Sequence, residues 1–176
     1  GQERVPAIRE SIAKALYNKA TALNQVYWYE EAIETYEALI ARFGKENIPS
    51  VQALITPARI AAAYIRIPLA KRDWEQAIVA NERLNAAIVD LRQVIGQCGD
   101  EESRISIAGR LGYALFLIGR NDEAIKMIRE SLQLGGKAAF ETQREDAHIW
   151  RLEVEDNKYD QLLADAWAEL YPEEYY

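Results

Sequence analysis

The chain has 176 residues, of which 49% are hydrophobic and 28% are charged. It is therefore long enough to bury a sizeable core and has the composition of an ordinary globular protein. Residues 1–140 contain 18 basic and 17 acidic side chains, whereas residues 141–176 contain 3 and 11. Because nucleic-acid binding depends on a basic face, a nearly neutral body with an acidic end argues against a nucleic-acid partner.

The N-terminus lacks the basic and then apolar layout of a signal peptide, and we expect no apolar run near the roughly 18 residues that indicate a membrane span. A cytoplasmic protein without a membrane partner is therefore the default prediction, and a native targeting segment before Gly1 is left open. Cys98 is the only cysteine and His148 the only histidine. The sequence accordingly predicts no disulfide framework, no metal site and no cofactor.

Apolar side chains at helical spacing predict a pair of helices within residues 11–43. The first helix is expected to begin at Ser11, which is a suitable N-cap residue, and the second is expected to end before Gly44. Because only a few residues separate the two helices, they are expected to lie antiparallel as a hairpin.

Proline residues make the second predicted hairpin, residues 57–95, less regular. Pro57 fits the first turn of a helix, and an extension of that helix backwards to Val51 is left open. Pro68 is expected to end or kink the helix at about residue 67. The second helix of this pair is predicted to follow Asp73, a cap candidate, and to continue to Ile95.

Two further hairpins are predicted at residues 101–134 and 138–170. Gly135 and Gly136 are expected to close the first of these, and Asp156-Asn157 is the predicted turn within the second. No segment shows the strict alternation of a half-buried strand. The sequence thus predicts one all-α domain over the whole chain, a right-handed stack of about four antiparallel hairpins.

Small residues recur at corresponding points of these hairpins. Ala20 lies 12 residues before Ala32, and Gly112 lies 12 residues before Ala124. Two antiparallel helices need small residues where they cross most closely, so these pairs are predicted to mark helix crossings. Ala77, which follows Trp-Glu-Gln as Ala32 follows Tyr-Glu-Glu, is expected to be the matching contact in the second hairpin.

These residues resemble the tetratricopeptide repeat, a 34-residue helical hairpin with small and aromatic residues at set points. Residues 13–46 and 105–138 carry the resemblance. The second unit departs from the pattern in its proline-interrupted helix, and Leu162 stands in the fourth unit where alanine is expected. Successive units are 38 to 47 residues apart, so the repeats resemble a stretched or degenerate array.

The resemblance implies a non-catalytic scaffold for protein–protein interaction, in which the first helices line a concave groove that binds a peptide or partner helix. The groove positions carried onto this chain are Lys14, Tyr17, Thr21, Asn24, Arg59, Arg66, Arg110 and Tyr113. Four cations among these residues imply a basic strip and a preference for acidic ligands, although such cations also serve simply as solvated helix faces.

An assembly module is the alternative function. In that case the apolar faces of the terminal hairpins would pair with another copy of the chain or with other parts of a larger protein, so self-association is left open. The last predicted helix has an apolar stripe opposite acidic residues, which is typical of a terminal cap and favours the scaffold. No nucleophile motif such as GxSxG accompanies His148, so no catalytic residue is predicted and an enzyme is not expected.

Overall fold

A computed structural model describes residues 4–175, apart from the side chain of Tyr175. This range contains seven α-helices, one short 3-10 helix and no strand, which confirms the all-α prediction. The elements are α1 (Arg4–Gln25), α2 (Tyr29–Phe43), α3 (Pro49–Arg72), α4 (Ala77–Ile95), α5 (Glu101–Leu117), α6 (Asn121–Ala147), α7 (Glu153–Leu170) and η1 (Pro172–Tyr175). The chain divides into two compact units, an N-terminal unit that ends at Ile65 and a C-terminal unit that begins at Arg66.

The N-terminal unit is built on the hairpin of α1 and α2. Ala20 and Ala32, the small residues predicted at its helix crossing, are both completely buried. Tyr36 lies one turn beyond Ala32 and is only 2% exposed, with its hydroxyl 3.1 Å from the Thr21 hydroxyl. The apolar spacing of the sequence therefore predicted the core of this hairpin correctly.

Within the described residues, helix α1 is already formed at Arg4, seven residues before the predicted start. Its described part starts at Arg4, and Ser11 lies inside the helix, where its hydroxyl donates to the carbonyl of Ala7 at 2.9 Å. The prediction of Ser11 as an N-cap is wrong, because a serine inside a helix satisfies its hydroxyl on the preceding turn instead. Pro6 fits this earlier start, since a proline in the first turn removes no hydrogen bond that the helix could make.

Helix α3 begins at Pro49, eight residues before the predicted start at Pro57, and it continues through Pro57 and Pro68. The prediction that Pro68 ends or kinks the helix near residue 67 is wrong in one respect, since the helix continues to Arg72. A proline inside a helix removes one backbone hydrogen bond and strains the turn before it. The residues around it, Ile67, Leu69 and Ala70, are all buried, so packing of this end of the helix offsets the local loss.

Helix α3 is also long and apolar enough, by length and composition alone, to cross a membrane. It has 24 residues, and its most apolar window has a mean hydropathy of 1.2, so the expectation of no such run is wrong. Half of that window is buried within the protein, as in a core helix, which passes the same test. The absence of a membrane partner and the cytoplasmic location stay predictions.

Helix α4 begins at Ala77, three residues later than predicted, because Asp73 lies in the turn between α3 and α4. Instead of capping α4, the Asp73 carboxylate accepts hydrogen bonds from Arg72 at 2.8 Å and from Arg83 at 3.2 Å. These guanidinium groups lower the pKa of Asp73. Ala77 is consequently exposed, and the buried contact expected of it is made by Ala80, which is 2% exposed.

Four helices, α2, α4, α6 and α7, begin with the same backbone geometry. The residues before them have φ between −113° and −87° and ψ between 61° and 88°, and they are Trp28, Gln76, Arg120 and Leu152. The fourth residue of each helix is buried and donates its N–H to the carbonyl of that preceding residue; these residues are Ala32, Ala80, Ala124 and Asp156. The second helices therefore recur four times, and Asp156, rather than Leu162, takes the fourth alanine position.

The crossing of α5 and α6 is as close as the sequence predicted. A Cβ atom at Gly112 would lie 2.9 Å from Cγ1 of Ile128 and 3.3 Å from the carbonyl oxygen of Ala124. Contacts under 3.0 Å require the neighbours to move, so only glycine fits here without displacement. Gly112, Ala124 and Ile128 therefore meet at the predicted crossing.

A sharp break at Gly136 divides α6 into two helical segments. Its φ of 57° and ψ of −142° lie in a region that side-chain-bearing residues rarely adopt, and the break lies where the sequence predicts the boundary between the third and fourth hairpins. The predicted turn at Asp156-Asn157 is wrong, since the chain turns at residues 148–152 instead. Asp156 lies in the first turns of α7, where its carboxylate accepts the N–H of Leu152 at 2.8 Å and so closes the start of that helix.

Candidate functional site

A cavity of about 340 Å³ lies within the C-terminal unit. The last turns of α3, one face of α5 and residues 135–149 surround it. Six residues form its apolar walls: Ile67, Pro68, Ile105, Ala138, Ala139 and Ile149. These three segments belong to the first helices of the second, third and fourth predicted hairpins. The sequence predicted that the first helices line a groove.

The Gly136 turn is the local feature that forms the third wall. It redirects the chain so that Ala138, Thr142 and Asp146, which are spaced by four residues, all line the cavity. Residues with this spacing share one helix face. The sequence therefore forms this wall by combining a glycine break with a regular helical face.

Three buried polar side chains form a linear hydrogen-bond chain in and beneath the cavity floor. Ser131 donates to the carbonyl of Ile105 at 2.8 Å, Gln143 donates to the Ser131 hydroxyl at 3.0 Å, and Tyr159 donates to the Gln143 carbonyl at 3.1 Å. Burial raises the pKa of Tyr159. Because these groups are hydrogen-bonded to one another, this part of the floor offers no hydrogen-bond partner to a polar group of a ligand.

A second buried cluster joins α3, α5 and α7 at one end of the cavity. Lys71 lies 3.0 Å from Asp156 and also donates to the carbonyls of Ala147 and Ile149. The Tyr113 hydroxyl lies 3.0 Å from the Ala147 carbonyl oxygen and 3.1 Å from the Asp156 carboxylate. Burial lowers the pKa of Lys71 against the attraction of Asp156, and burial together with that carboxylate raises the pKa of Tyr113.

This cluster determines the position of the turn that follows α6. Lys71 and Asp156 are both 1% exposed in their side chains, so their charges have little solvent to stabilise them other than each other. Two of the acceptors of Lys71 are backbone carbonyls at the end of α6 and in the turn at residues 148–152. The cluster therefore holds Ile149 in the cavity wall.

The cavity mouth carries more acidic than basic groups. Nε of Arg110 lies 3.0 Å from the Asp146 carboxylate, and the two side chains are 22% and 25% exposed. Burial raises the pKa of Asp146, and Arg110 partly opposes that shift. Glu102 also lines the cavity, is exposed, and makes no ion pair within residues 4–175. Two carboxylates thus share the mouth with one guanidinium group.

The C-terminal unit contains three of the predicted groove residues. Arg110 and Tyr113 both line the cavity, although Tyr113 is only 4% exposed and its hydroxyl is engaged by the buried cluster. Arg66 does not line the cavity, because it is buried and donates to Asp90 at 2.7 Å. The structure therefore brings Arg110 and Tyr113 together and places Arg66 in a buried ion pair.

The N-terminal unit contains the other five predicted groove residues. They are Lys14, which is exposed, and the half-buried Tyr17, Thr21, Asn24 and Arg59. Lys14 pairs with Glu10 at 2.5 Å on the same helix. The Tyr17 ring packs edge-on against Tyr36 at 5.8 Å, and the Thr21 hydroxyl contacts the same tyrosine, so both side chains contribute to the α1–α2 hairpin itself.

Ion pairs neutralise most of the expected basic strip. Lys14, Arg66 and Arg110 each lie beside a carboxylate, so their positive charge is largely compensated. The preference for acidic ligands, which depended on that charge, stays a prediction.

Several cavity residues escaped the sequence analysis for identifiable reasons. Lys71 was missed because α3 was expected to end before it. Asp146 and Thr142 lie on the predicted first helix of the fourth hairpin, to which the groove positions were not extended. Continuing the groove spacing to that hairpin is the signal that would have found them. Glu102, in the first turn of α5, would have been taken for a charge that favours a helix start.

Elsewhere in residues 4–175, no group of three His, Cys, Asp or Glu side chains is arranged to hold a metal ion. His148 lies outside the cavity lining, with Nε2 3.0 Å from the Asp160 carboxylate.

Residues 105–134 match the sequence model of a known family, the tetratricopeptide repeat. The matched segment covers most of α5 and the first part of α6, including the close crossing at Gly112, and confirms the resemblance for this hairpin. No curated protein and no solved structure gives a significant match to the chain. The repeat suggests an interaction scaffold, since the members of this family generally mediate protein–protein interactions and are generally not catalytic.

Proposed function

We propose that this protein is a non-catalytic scaffold that binds a peptide segment of a partner protein in the cavity of its C-terminal unit. The observation that carries the proposal is the cavity itself, which has apolar walls and a charged mouth. The matched repeat supplies one of its walls through α5. Concave apolar sites with a few convergent polar groups are typical of binding sites.

The state of the titratable groups also supports binding rather than chemistry. Lys71 and Tyr113 line the cavity, but each is hydrogen-bonded within the buried cluster. A lysine that donates to a carboxylate and two carbonyls has its donors committed and is not available as a nucleophile. The cavity therefore lacks an activated group in the part that is most enclosed.

Selection from a random dodecapeptide display library, with the purified chain as bait, tests this proposal. Selected peptides are expected to slow amide hydrogen exchange in α5 and in residues 137–147, because a bound peptide excludes water from those walls. Protection confined to α1 and α2 would place the binding surface elsewhere. A library that yields no binding peptide would contradict the scaffold function.

One observation favours the assembly module as a second candidate. Val5 and Ile8 on α1 are 54% and 57% exposed, and Ile8 and Ile12 line a shallow apolar depression on that helix. An exposed apolar patch of this kind is typical of a protein contact surface. Sedimentation equilibrium of Ile8→Lys tests this candidate against Ile78→Lys, since Ile78 is 76% exposed on α4 and lies outside the depression. Only the first change is expected to weaken self-association.

A further inference from the structure

The size of the cavity limits what part of a partner can enter it. Ligand pockets generally measure about 300 to 1,000 Å³, and this cavity of about 340 Å³ is at the lower end of that range. An α-helix, about 10 Å across, does not fit such a space. The volume is suited to one large side chain of an extended peptide.

The walls and the floor select the chemistry of that side chain. The six wall residues are apolar, and the polar groups of Ser131, Gln143 and Tyr159 already satisfy one another. A polar group of a ligand buried against them would lose its water without gaining a partner, whereas an apolar group gains from burial. An aromatic or large aliphatic side chain is therefore favoured over a polar one of similar size.

The mouth selects the charge of the residue next to that side chain. Arg110 is compensated by Asp146 at 3.0 Å, whereas Glu102 makes no ion pair in the described part of the chain. The Glu145 carboxylate adds negative potential, since it helps to raise the pKa of Asp146. A basic residue at the mouth would meet an uncompensated carboxylate, and an acidic one would be repelled.

From these three features we infer that the cavity is an anchor site for a peptide in which a large apolar residue, such as phenylalanine, lies directly beside a lysine or arginine. This inference rests on the proposed scaffold function and specifies its ligand class. It departs from the acidic ligands that the sequence predicted, because the ion pairs compensate the cations on which that prediction depended.

Fluorescence anisotropy with three labelled dodecapeptides tests the ligand class. All three have the same glycine-serine background, with Phe-Lys, Ala-Lys or Phe-Glu at the centre. The Phe-Lys peptide is expected to bind at least about tenfold more tightly than either of the others, which corresponds to about 1.4 kcal/mol. Equal affinity of the three peptides, or binding by none of them, would overturn the inference.

A cavity-filling variant tests the location. Ala138 is exposed at the rim of the cavity, so the indole of Ala138→Trp is expected to occupy the cavity without disturbing the core. The variant is expected to bind the Phe-Lys peptide at least about tenfold more weakly. Ala77→Trp is the matched control, because Ala77 is exposed at the start of α4 and does not line the cavity. Full binding by Ala138→Trp would overturn the assignment to this cavity.

A pair of neighbouring acids tests the charge preference. Glu102→Gln is expected to abolish the preference for Phe-Lys over Phe-Glu, whereas Glu101→Gln removes the same charge one residue away and is expected to retain it. Raising the salt concentration is also expected to reduce the preference, since exposed charges are screened over about 8 to 10 Å. If the preference survives Glu102→Gln, the charge of Glu102 does not select the neighbouring residue and this part of the inference is overturned.

Failure of this inference is distinguishable from failure of the scaffold function. Library peptides that protect α5 and residues 137–147 from exchange, yet lack an apolar-basic pair or bind Ala138→Trp unchanged, would retain the scaffold and overturn the anchor site. A library without binding peptides would contradict both.

Discussion

Helices α2 and α7 begin with similar backbone geometry, but one buries an apolar side chain and the other a charged side chain at the same position. Each follows a residue of similar backbone geometry, and the fourth residue of each is 1% exposed or less. In α2 that residue is Ala32, which has no polar side-chain atom. In α7 it is Asp156, a carboxylate that meets Lys71 and the N–H of Leu152. One structural position is thus stabilised by packing in the N-terminal unit and by a buried charge cluster in the C-terminal unit.

The difference teaches that a repeat position specifies burial more strongly than residue type. A small apolar residue satisfies the position by itself, since it needs no partner. A charged residue satisfies it only when a counter-charge is supplied from elsewhere in the chain, here from α3. Changes at the two positions should therefore fail for different physical reasons.

The largest effect is expected from removing the acid of the charge cluster. Asp156→Asn keeps the shape of the side chain but leaves Lys71 buried without its counter-charge, so we expect a loss of about 3 to 5 kcal/mol in the free energy of unfolding. Urea denaturation of the variant and the unmodified protein measures this loss.

The control is the double variant Lys71→Met/Asp156→Asn, in which neither charge remains. It is expected to lose less stability than Asp156→Asn alone, because no uncompensated charge is left in the interior. The single variant Lys71→Met completes the comparison. If the double variant loses as much stability as the two single variants together, Lys71 and Asp156 are not coupled.

A smaller effect is expected from enlarging the packed position. Ala32→Leu adds three carbon atoms at a completely buried helix crossing, so overpacking should lower the free energy of unfolding by about 1 to 3 kcal/mol. Ala124→Leu is expected to behave alike in the C-terminal unit, because Ala124 is also completely buried.

Ala77→Leu is the matched control for these two variants. Ala77 precedes the buried Ala80 by three residues and is exposed, so its change is expected to stay within about 0.5 kcal/mol. Thermal unfolding of all three compares them directly. An equal loss at Ala77 would show that the crossing in the second hairpin had been placed wrongly.

The smallest effect concerns the two turns that join α1 to α2 and α5 to α6. Tyr27 and Gly119 occupy the same left-handed position, with φ of 65° and 84°. In both turns the next residue donates its N–H back to the carbonyl five residues earlier, at 2.9 Å. The turns are therefore alike in backbone, and only one of them uses the residue that this conformation favours.

Tyr27→Gly should relieve about 1 kcal/mol of backbone strain, partly offset by the greater freedom of glycine in the unfolded chain. The side chain is 76% exposed, and its ring lies edge-on to the Tyr29 ring with 6.1 Å between the centroids, so little packing is lost. The reverse change, Gly119→Ala, should lower stability by about 1 kcal/mol. If Gly119→Ala instead raises the free energy of unfolding in chemical denaturation, a residue with a side chain is not strained in this conformation.

The matching turns show how far local sequence predicts structure. Helical spacing and short connections were enough to place the α1–α2 and α5–α6 hairpins, including the crossings at Ala32 and Gly112. Neighbouring residues decide these features, so a local pattern predicts them. The register of α4 was wrong by three residues, because Asp73 binds two guanidinium groups instead of capping the helix.

Less of the candidate site could be predicted. The groove positions identified Arg110 and Tyr113 in the cavity lining, but not the ion pairs that compensate Arg66 and Arg110. A charge pattern along one helix does not show which carboxylate of another helix lies beside it. The spacing of charged residues along the sequence therefore could not predict the sign of the charge at the cavity mouth.

The sequence by itself determined the all-helical repeat architecture, because helical periodicity, glycine breaks and small residues at crossings act over a few turns of chain. Only the tertiary structure decided that α3 continues past Pro68, that Asp156 is buried, and that a cavity forms beside α5. These features depend on contacts such as that between Lys71 and Asp156, which are 85 residues apart. A buried charge is stable only where such a distant partner compensates it, and the partner is known only once the chain has folded.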